Sequence, residues 1–148
     1  MTLAGRPKSI DQALEQARAR LDRLTPQQAF GAVRVGALLV DTRYAGLRDR
    51  DGLIAGAVVV ERNELEWRLD PLCAYRLPEA VHHDLQVIVV CNEGYASSLA
   101  AVSLQELGLR RATDLVGGFQ AWAEAGLPVI PPAGSTSGDQ APGFHTAH

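Results

Sequence analysis

The sequence predicts an α/β domain in which helices cover both faces of a parallel sheet. Three short runs are apolar at every position and a fourth, residues 112–116, is mostly apolar, which is typical of strands buried on both faces. Helical stretches separate most of these runs, as the crossover connections of a parallel sheet require. With 148 residues, the chain is long enough to bury the core of one such domain.

Two predicted helices come first in the chain. The first occupies residues 9–24, where a serine and a glutamine form a capping box and apolar residues recur at helical spacing. The second begins at Thr25, is followed at once by proline in the first helical position, and ends by Gly36. We assign residues 1–27 to an N-terminal helical extension.

Strands and helices follow to about residue 130. The predicted strands are residues 37–40, 57–60, 87–90 and 112–116, and the predicted helices are residues 62–69, 78–83, 98–107 and 119–125. These elements make up a domain of residues 28–130. The segment 131–148 is rich in Pro, Gly, Ser and Thr, and we predict that it is a disordered tail.

The composition excludes several classes of protein. A net charge of −3 and an aromatic content of 5% argue against a nucleic-acid partner. Two Cys and four His form neither a disulfide framework nor a ligand set at zinc spacing. No apolar run approaches the length of about 18 residues that a membrane helix needs. We therefore expect a cytoplasmic protein with reduced thiols and with no metal, membrane or nucleic-acid partner.

The most informative stretch follows the third strand and reads CNEGYASS at 91–98. The strand brings Cys91 to its carboxyl end, where open parallel sheets bind ligands. Gly94 allows a tight turn, and the backbone N–H groups of such a turn form a concave anion site beside the next helix N-terminus. These surroundings favour the thiolate form of a cysteine. We predict that Cys91 is a nucleophile.

The absence of certain residues from this site excludes some of the reactions that a nucleophilic cysteine can perform. A cysteine hydrolase needs a histidine base, but His82 and His83 precede the strand and would lie about 17 Å away at its other end. A cysteine phosphatase holds the phosphoryl group with an arginine six positions after the cysteine, and that position is Ser97. Sulfur transfer through a persulfide needs no proton shuttle, and it is the reaction that these exclusions leave open.

Four segments resemble those of the rhodanese (sulfurtransferase) family, and they occur in the family's order. They read LLVDTR at 38–43, DGLIAGA at 51–57, CNEGYA at 91–96, and LVGGFQAW at 115–122 with GLP at 126–128. The resemblance spans residues 28–129. It implies a central five-stranded parallel sheet. The apolar pattern reveals four of these strands, and we expect the fifth to be a short strand near Arg34.

The resemblance also implies the chemistry. A persulfide on Cys91 would move a sulfane sulfur from a small-molecule donor to cyanide, a small thiol or a protein thiol, without a metal or organic cofactor. Family members commonly carry basic residues in the loop, often an arginine at the position of Ala96. An acid at Glu93 instead opposes a dianionic donor, so thiosulfate is not the natural donor we expect. The candidate substrate-binding residues are Asn92, Glu93, Gly94, Tyr95, Ala96, Ser97 and Arg48.

Two other functions stay open at this point. The acidic loop would suit a non-catalytic rhodanese-like module that binds or regulates a partner, although such a module does not need Cys91. A thiol redox or arsenate-reducing enzyme would need Cys73 to meet Cys91. Thiol titration distinguishes the three: an active sulfurtransferase has one fast-reacting thiol, the module has none, and a redox pair reversibly loses two.

Overall fold

The computed structural model describes residues 5–134. In chain order its elements are α1 (Ile10–Arg18), α2 (Pro26–Arg34), β1 (Leu38–Asp41), α3 (Ala45–Asp51), β2 (Leu53–Ile54), β3 (Val58–Val59), α4 (Leu65–Leu69), β4 (Val87–Val90), α5 (Ala96–Glu106), β5 (Thr113–Asp114), α6 (Gly118–Glu124) and β6 (Val129–Ile130). Within this range, no helix is long and apolar enough to cross a membrane. Most of the predicted tail, from residue 135 onward, lies outside the described residues.

Four strands form one parallel sheet in the order β3-β1-β4-β5, which confirms the predicted α/β class. In this sheet Val40 pairs with Val58 on one side and with Val89 on the other. The two remaining strands, β2 and β6, form a separate antiparallel pair.

The central strand β4 contributes side chains to both hydrophobic cores. Val87 and Val89 pack with residues of α4 and α5 on one face of the sheet. Ile88 and Val90 pack with residues of α2 and α6 on the other face. All four side chains are fully buried. Burial on both faces explains why the run is apolar throughout, and the predicted bounds 87–90 are confirmed.

The predicted count of five strands is wrong, because the described sheet has four. Arg34, near which the fifth strand was placed, belongs to α2. Beyond β5 the sheet continues only as a single parallel bridge between Leu24 and Leu115. Thr25 already caps α2, so the helix begins before a second residue can pair with the sheet.

Two predictions of helices also need correction, and one helix was not predicted. The first helix ends at Arg18 rather than at residue 24, after which the chain turns and buries Leu21 in the core. Residues 78–83 form turns, and the exposed Val81 shows that this segment has no continuous apolar face. The helix α3 was missed because none of its residues is buried, so no apolar periodicity indicates it.

Candidate active site

Cys91 directly follows β4 at the carboxyl edge of the sheet, and its residue surface is 8% exposed. Its Sγ atom accepts hydrogen bonds from the backbone amides of Gly94, at 3.2 Å, and Ser97, at 3.3 Å. Ser97 lies in the first turn of α5, an 11-residue helix whose N-terminus therefore faces the sulfur. Amide dipoles and a helix N-terminus both stabilise negative charge at this atom.

Two glycines let the loop after Cys91 pack closely against the turn between β5 and α6. Gly94 has φ +87°, and a Cβ there would lie 2.6 Å from the backbone nitrogen of Gly117. Gly118 has φ +61°, and its Cβ would lie 2.4 Å from the carbonyl oxygen of Cys91. A side chain at either position would therefore push the loop away from the turn.

The N-terminus of α6 holds the carbonyl groups of this loop. The amide of Phe119 donates to the carbonyl oxygen of Cys91 at 2.8 Å, and the amide of Gln120 donates to that of Asn92 at 3.1 Å. The side-chain amide of Gln120 also donates to Oδ1 of Asn92 and to Oδ2 of Asp51, each at 3.0 Å. With these carbonyls bound to α6, the loop presents the amides of residues 94 and 97 to the sulfur.

Asp51 supports this arrangement as a carboxylate at the edge of the site. A hydrogen bond from Arg50 lowers the pKa of Asp51, which keeps it an ionised acceptor for Gln120. Because the pKa is lowered in the folded protein, its contribution to stability is present above the unfolded pKa and is lost as the pH falls through the folded one.

A pocket of about 310 Å³ opens beside Cys91. Three stretches of chain line it: Thr42, Arg43, Tyr44 and Leu47 after β1, Arg62 after β3, and Cys91, Asn92, Glu93, Tyr95 and Ala96 in the loop. A small molecule can therefore approach the sulfur between tyrosine and leucine side chains, with an acid and two arginines also lining the pocket.

The structure brings most of the predicted substrate-binding residues to this place. The side of the pocket formed by the loop contains Asn92, Glu93, Tyr95 and Ala96. The other two loop residues, Gly94 and Ser97, donate their amides to Sγ. Arg48 is not among the residues lining the pocket; its guanidinium donates to the carbonyl oxygen of Arg43 and lies 3.4 Å from a carboxylate oxygen of Glu61.

Sequence reasoning missed the opposite wall of the pocket, formed by Thr42, Tyr44, Leu47 and Arg62. Leu47 belongs to α3, the helix that has no apolar face to reveal it. The available signal was position, since all four residues follow a parallel strand and so lie at the same sheet edge as Cys91.

A buried ion pair supports this wall from inside. Nη2 of Arg43 lies 2.8 Å from Oδ2 of Asp41, and both side chains are fully buried. The same nitrogen donates to the carbonyl oxygen of Gly52 at 2.8 Å, and the guanidinium lies 3.9 Å from the centroid of the Phe119 ring. The pair therefore connects the end of β1 with the end of α3 and with α6.

The residues that other cysteine enzymes would use are engaged or placed elsewhere. Ser97, at the position of the phosphatase arginine, donates its hydroxyl to the buried carboxylate of Asp114 at 2.7 Å. Cys73 lies in the turns after α4, where its Sγ accepts the amide of Tyr75 at 3.3 Å. It is a free thiol and is not among the residues lining the pocket of Cys91.

Sequence comparisons find a family model and related proteins that match most of the chain. The family model of the rhodanese-like domain matches residues 14–125. Thiosulfate sulfurtransferase GlpE of Haemophilus influenzae is 31% identical over 106 residues, which is 72% of this chain and 91% of the relative. A sulfurtransferase of Allochromatium vinosum is 32% identical over 81 residues, covering 55% of this chain and 72% of its own.

Solved structures of other proteins have a similar fold. A Rhodopseudomonas palustris protein of unknown function, described as a possible tyrosine phosphatase, has a TM-score of 0.73 at 32% identity, covering 85% of this chain and 100% of its own. The polysulfide-sulfur transferase homodimer of Wolinella succinogenes shares the fold, with a TM-score of 0.64 at 22% identity, covering 83% of this chain and 88% of its own. Given the parallel sheet, the loop that follows its central strand and the family match over most of its length, this chain belongs to the rhodanese-like domain family.

Proposed function

We propose that this protein is a rhodanese-type sulfurtransferase that carries the transferred sulfur as a persulfide on Cys91. The observation that carries the proposal is the pair of amide hydrogen bonds to Sγ at the floor of an open pocket. Membership of the family and relatives named as sulfurtransferases support the same reaction.

The reaction has two balanced halves. The thiolate of Cys91 attacks the sulfane sulfur of a donor, a new S–S bond forms, and the rest of the donor leaves with the electron pair of the broken bond. An acceptor thiolate or cyanide then attacks the outer sulfur, and Cys91 leaves again as a thiolate. No external oxidant or reductant is needed, because each half exchanges one bond to sulfur for another.

The loop residues have two roles in this scheme. The amides of Gly94 and Ser97 stabilise the anion of Cys91 when it attacks and when it leaves. The walls formed by Asn92, Tyr95 and Ala96 guide the donor and acceptor to it. Arg48 contributes indirectly, by holding the carbonyl of Arg43 beside the pocket.

The acceptor and the setting follow from the same chemistry. We propose a small thiol or a protein thiol as the acceptor, because either can bring a thiolate to the outer sulfur. We place the protein in the cytoplasm, since a cysteine that works as a thiolate has to be kept reduced.

Intact-mass spectrometry tests the proposed function. After incubation with thiosulfate or with an organic persulfide, the wild-type protein should gain the mass of one sulfur atom, and cyanide should remove it as thiocyanate. No gain with either donor would contradict the proposal and would favour the binding-module alternative.

Replacing Glu93 tests why thiosulfate suits this pocket poorly. Glu93 is exposed and lines the pocket, so its carboxylate repels a dianionic donor that enters there. An exposed charge contributes about 1 kcal/mol or less, so we expect Glu93→Gln to raise kcat/KM for thiosulfate about two- to fivefold. Thiocyanate formation measures the change.

The matched control removes an acid outside the pocket. Glu79 is exposed and does not line the pocket, so Glu79→Gln should leave kcat/KM for thiosulfate unchanged. An unchanged or lower value in Glu93→Gln, or an equal rise in both variants, would show that Glu93 does not act on the donor.

A further inference from the structure

The N-terminal segment reaches the back of the Cys91 loop through two arginines. Nη2 of Arg18 donates to the carbonyl oxygen of Gly94 at 2.7 Å, and Nη2 of Arg23 donates to the same oxygen at 2.9 Å. Gly94 is therefore held on both sides, because its own amide donates to Sγ of Cys91. Two cations on one main-chain oxygen form charge-assisted hydrogen bonds, which are stronger than those between neutral groups.

Arg23 is fixed by a buried carboxylate. Its Nε and Nη2 lie 2.8 and 3.1 Å from the two carboxylate oxygens of Asp114, whose side chain is fully buried. Asp114 also accepts the hydroxyls of Ser97 and Ser98, at 2.7 and 2.8 Å. Arg23 therefore stabilises the first turn of α5 as well as the loop.

Arg18 contacts the loop more directly. It ends α1, and besides Gly94 its Nε donates to Oγ of Ser98 at 3.2 Å. Its guanidinium also lies 5.4 Å from the centroid of the Tyr95 ring, which lines the pocket. One side chain of the N-terminal helix thus contacts two residues of the Cys91 loop and one residue in the first turn of α5.

The direction of the Gly94 carbonyl determines that of the next amide. In a trans peptide the C=O and the following N–H point in opposite directions, and the described residues contain no cis bond. With its oxygen toward the arginines, the peptide directs the N–H of Tyr95 away from them. Glycine has little resistance to rotation, so without the arginines this peptide could turn over and present an oxygen in place of the amide.

We propose that Arg18 and Arg23 are positioning residues for sulfur transfer, which hold the peptide between Gly94 and Tyr95 so that its amide faces the sulfur carried by Cys91. This inference rests on the proposed function. The outer sulfur of a persulfide lies about 2 Å beyond Sγ, so it needs amides other than those that hold the thiolate. The N-terminal helix is then part of the catalytic unit.

Arg18 is the better residue to test, because loss of Arg23 would leave Asp114 buried with only hydroxyl partners. In a Cys73→Ser background, we expect Arg18→Gln to lower kcat for transfer to cyanide about tenfold, as a charge-assisted hydrogen bond is lost. KM and the unfolding temperature should change little, and Arg18→Lys should recover part of kcat. Arg20→Gln is the control, since Arg20 pairs only with the exposed Glu106 among the ion pairs of the described residues.

The outcomes distinguish this inference from the proposed function. If wild type transfers sulfur and Arg18→Gln has the same kcat, or if Arg20→Gln loses as much, the positioning role is overturned. If wild type transfers no sulfur from any donor, the rate at which iodoacetamide alkylates Cys91 still tests the arginine. We expect that rate to fall severalfold in Arg18→Gln, because the released peptide can turn the Gly94 oxygen, rather than the Tyr95 amide, toward Sγ and so destabilise the thiolate. Equal rates would overturn the inference.

Discussion

Cys91→Ser is expected to abolish sulfur transfer. A serine hydroxyl is not ionised near neutral pH, and an oxygen in place of Sγ cannot form the persulfide on which both halves of the reaction depend. We expect thiocyanate formation to fall at least about a thousandfold, since loss of a covalent nucleophile removes the pathway itself. Intact-mass spectrometry should show no added sulfur with thiosulfate or with an organic persulfide.

Cys73→Ser is the matched control for this variant. Cys73 lies in the turns after α4 and does not line the pocket, so this variant should gain sulfur and turn over as wild type does. Sulfur gained by Cys91→Ser, or lost from Cys73→Ser, would show that the wrong thiol has been assigned. Reversible loss of two thiols in wild type would instead support the redox alternative.

Asp41→Asn should cause the largest loss of stability. Asp41 is fully buried and binds the guanidinium of Arg43 through both oxygens, so the variant leaves a buried cation without its counter-charge. Breaking a buried pair in this way costs about 3–5 kcal/mol. For a domain of this size we expect the unfolding temperature to fall by roughly 10 °C or more, measured by circular dichroism.

The control is the same substitution in an exposed ion pair. Asp84 pairs with Arg110, and both side chains are more than half exposed. Asp84→Asn should cost less than about 1 kcal/mol, because water screens such pairs. Similar shifts in the two variants would mean that burial of the Asp41–Arg43 pair does not determine its contribution.

The sheet and the position of Cys91 at its carboxyl edge could be predicted because each depends on a short, local pattern. Burial on both faces makes residues 87–90 apolar throughout, and a cysteine, a glycine turn and a helix in succession direct backbone amides at Sγ. The strand count could not be predicted this way. A strand implied by resemblance is reduced here to Leu24, because the cap of α2 follows at once.

The remaining part of the site depends on where distant segments meet. Tyr44 and Leu47 reach the pocket from around α3, whose lack of buried residues removes any periodic signal. Arg18 and Arg23 are five positions apart and would not share a helix face. They converge on Gly94 only because α1 ends at Arg18 and the chain then turns, which a helix predicted to residue 24 does not allow.

The neutral amides around Cys91 also affect the rate at which donors and acceptors encounter the site. The field of a dipole fades within a few ångströms, whereas that of a free charge extends about 8–10 Å in physiological salt. The two arginines lining the pocket, Arg43 and Arg62, are each neutralised by a carboxylate. Neutral donors are therefore captured only after they diffuse into the opening, and their encounter rate should vary little with ionic strength. For anionic donors the exposed carboxylate of Glu93 adds a repulsion that salt screens, so selection among donors depends on this repulsion and on shape at close range.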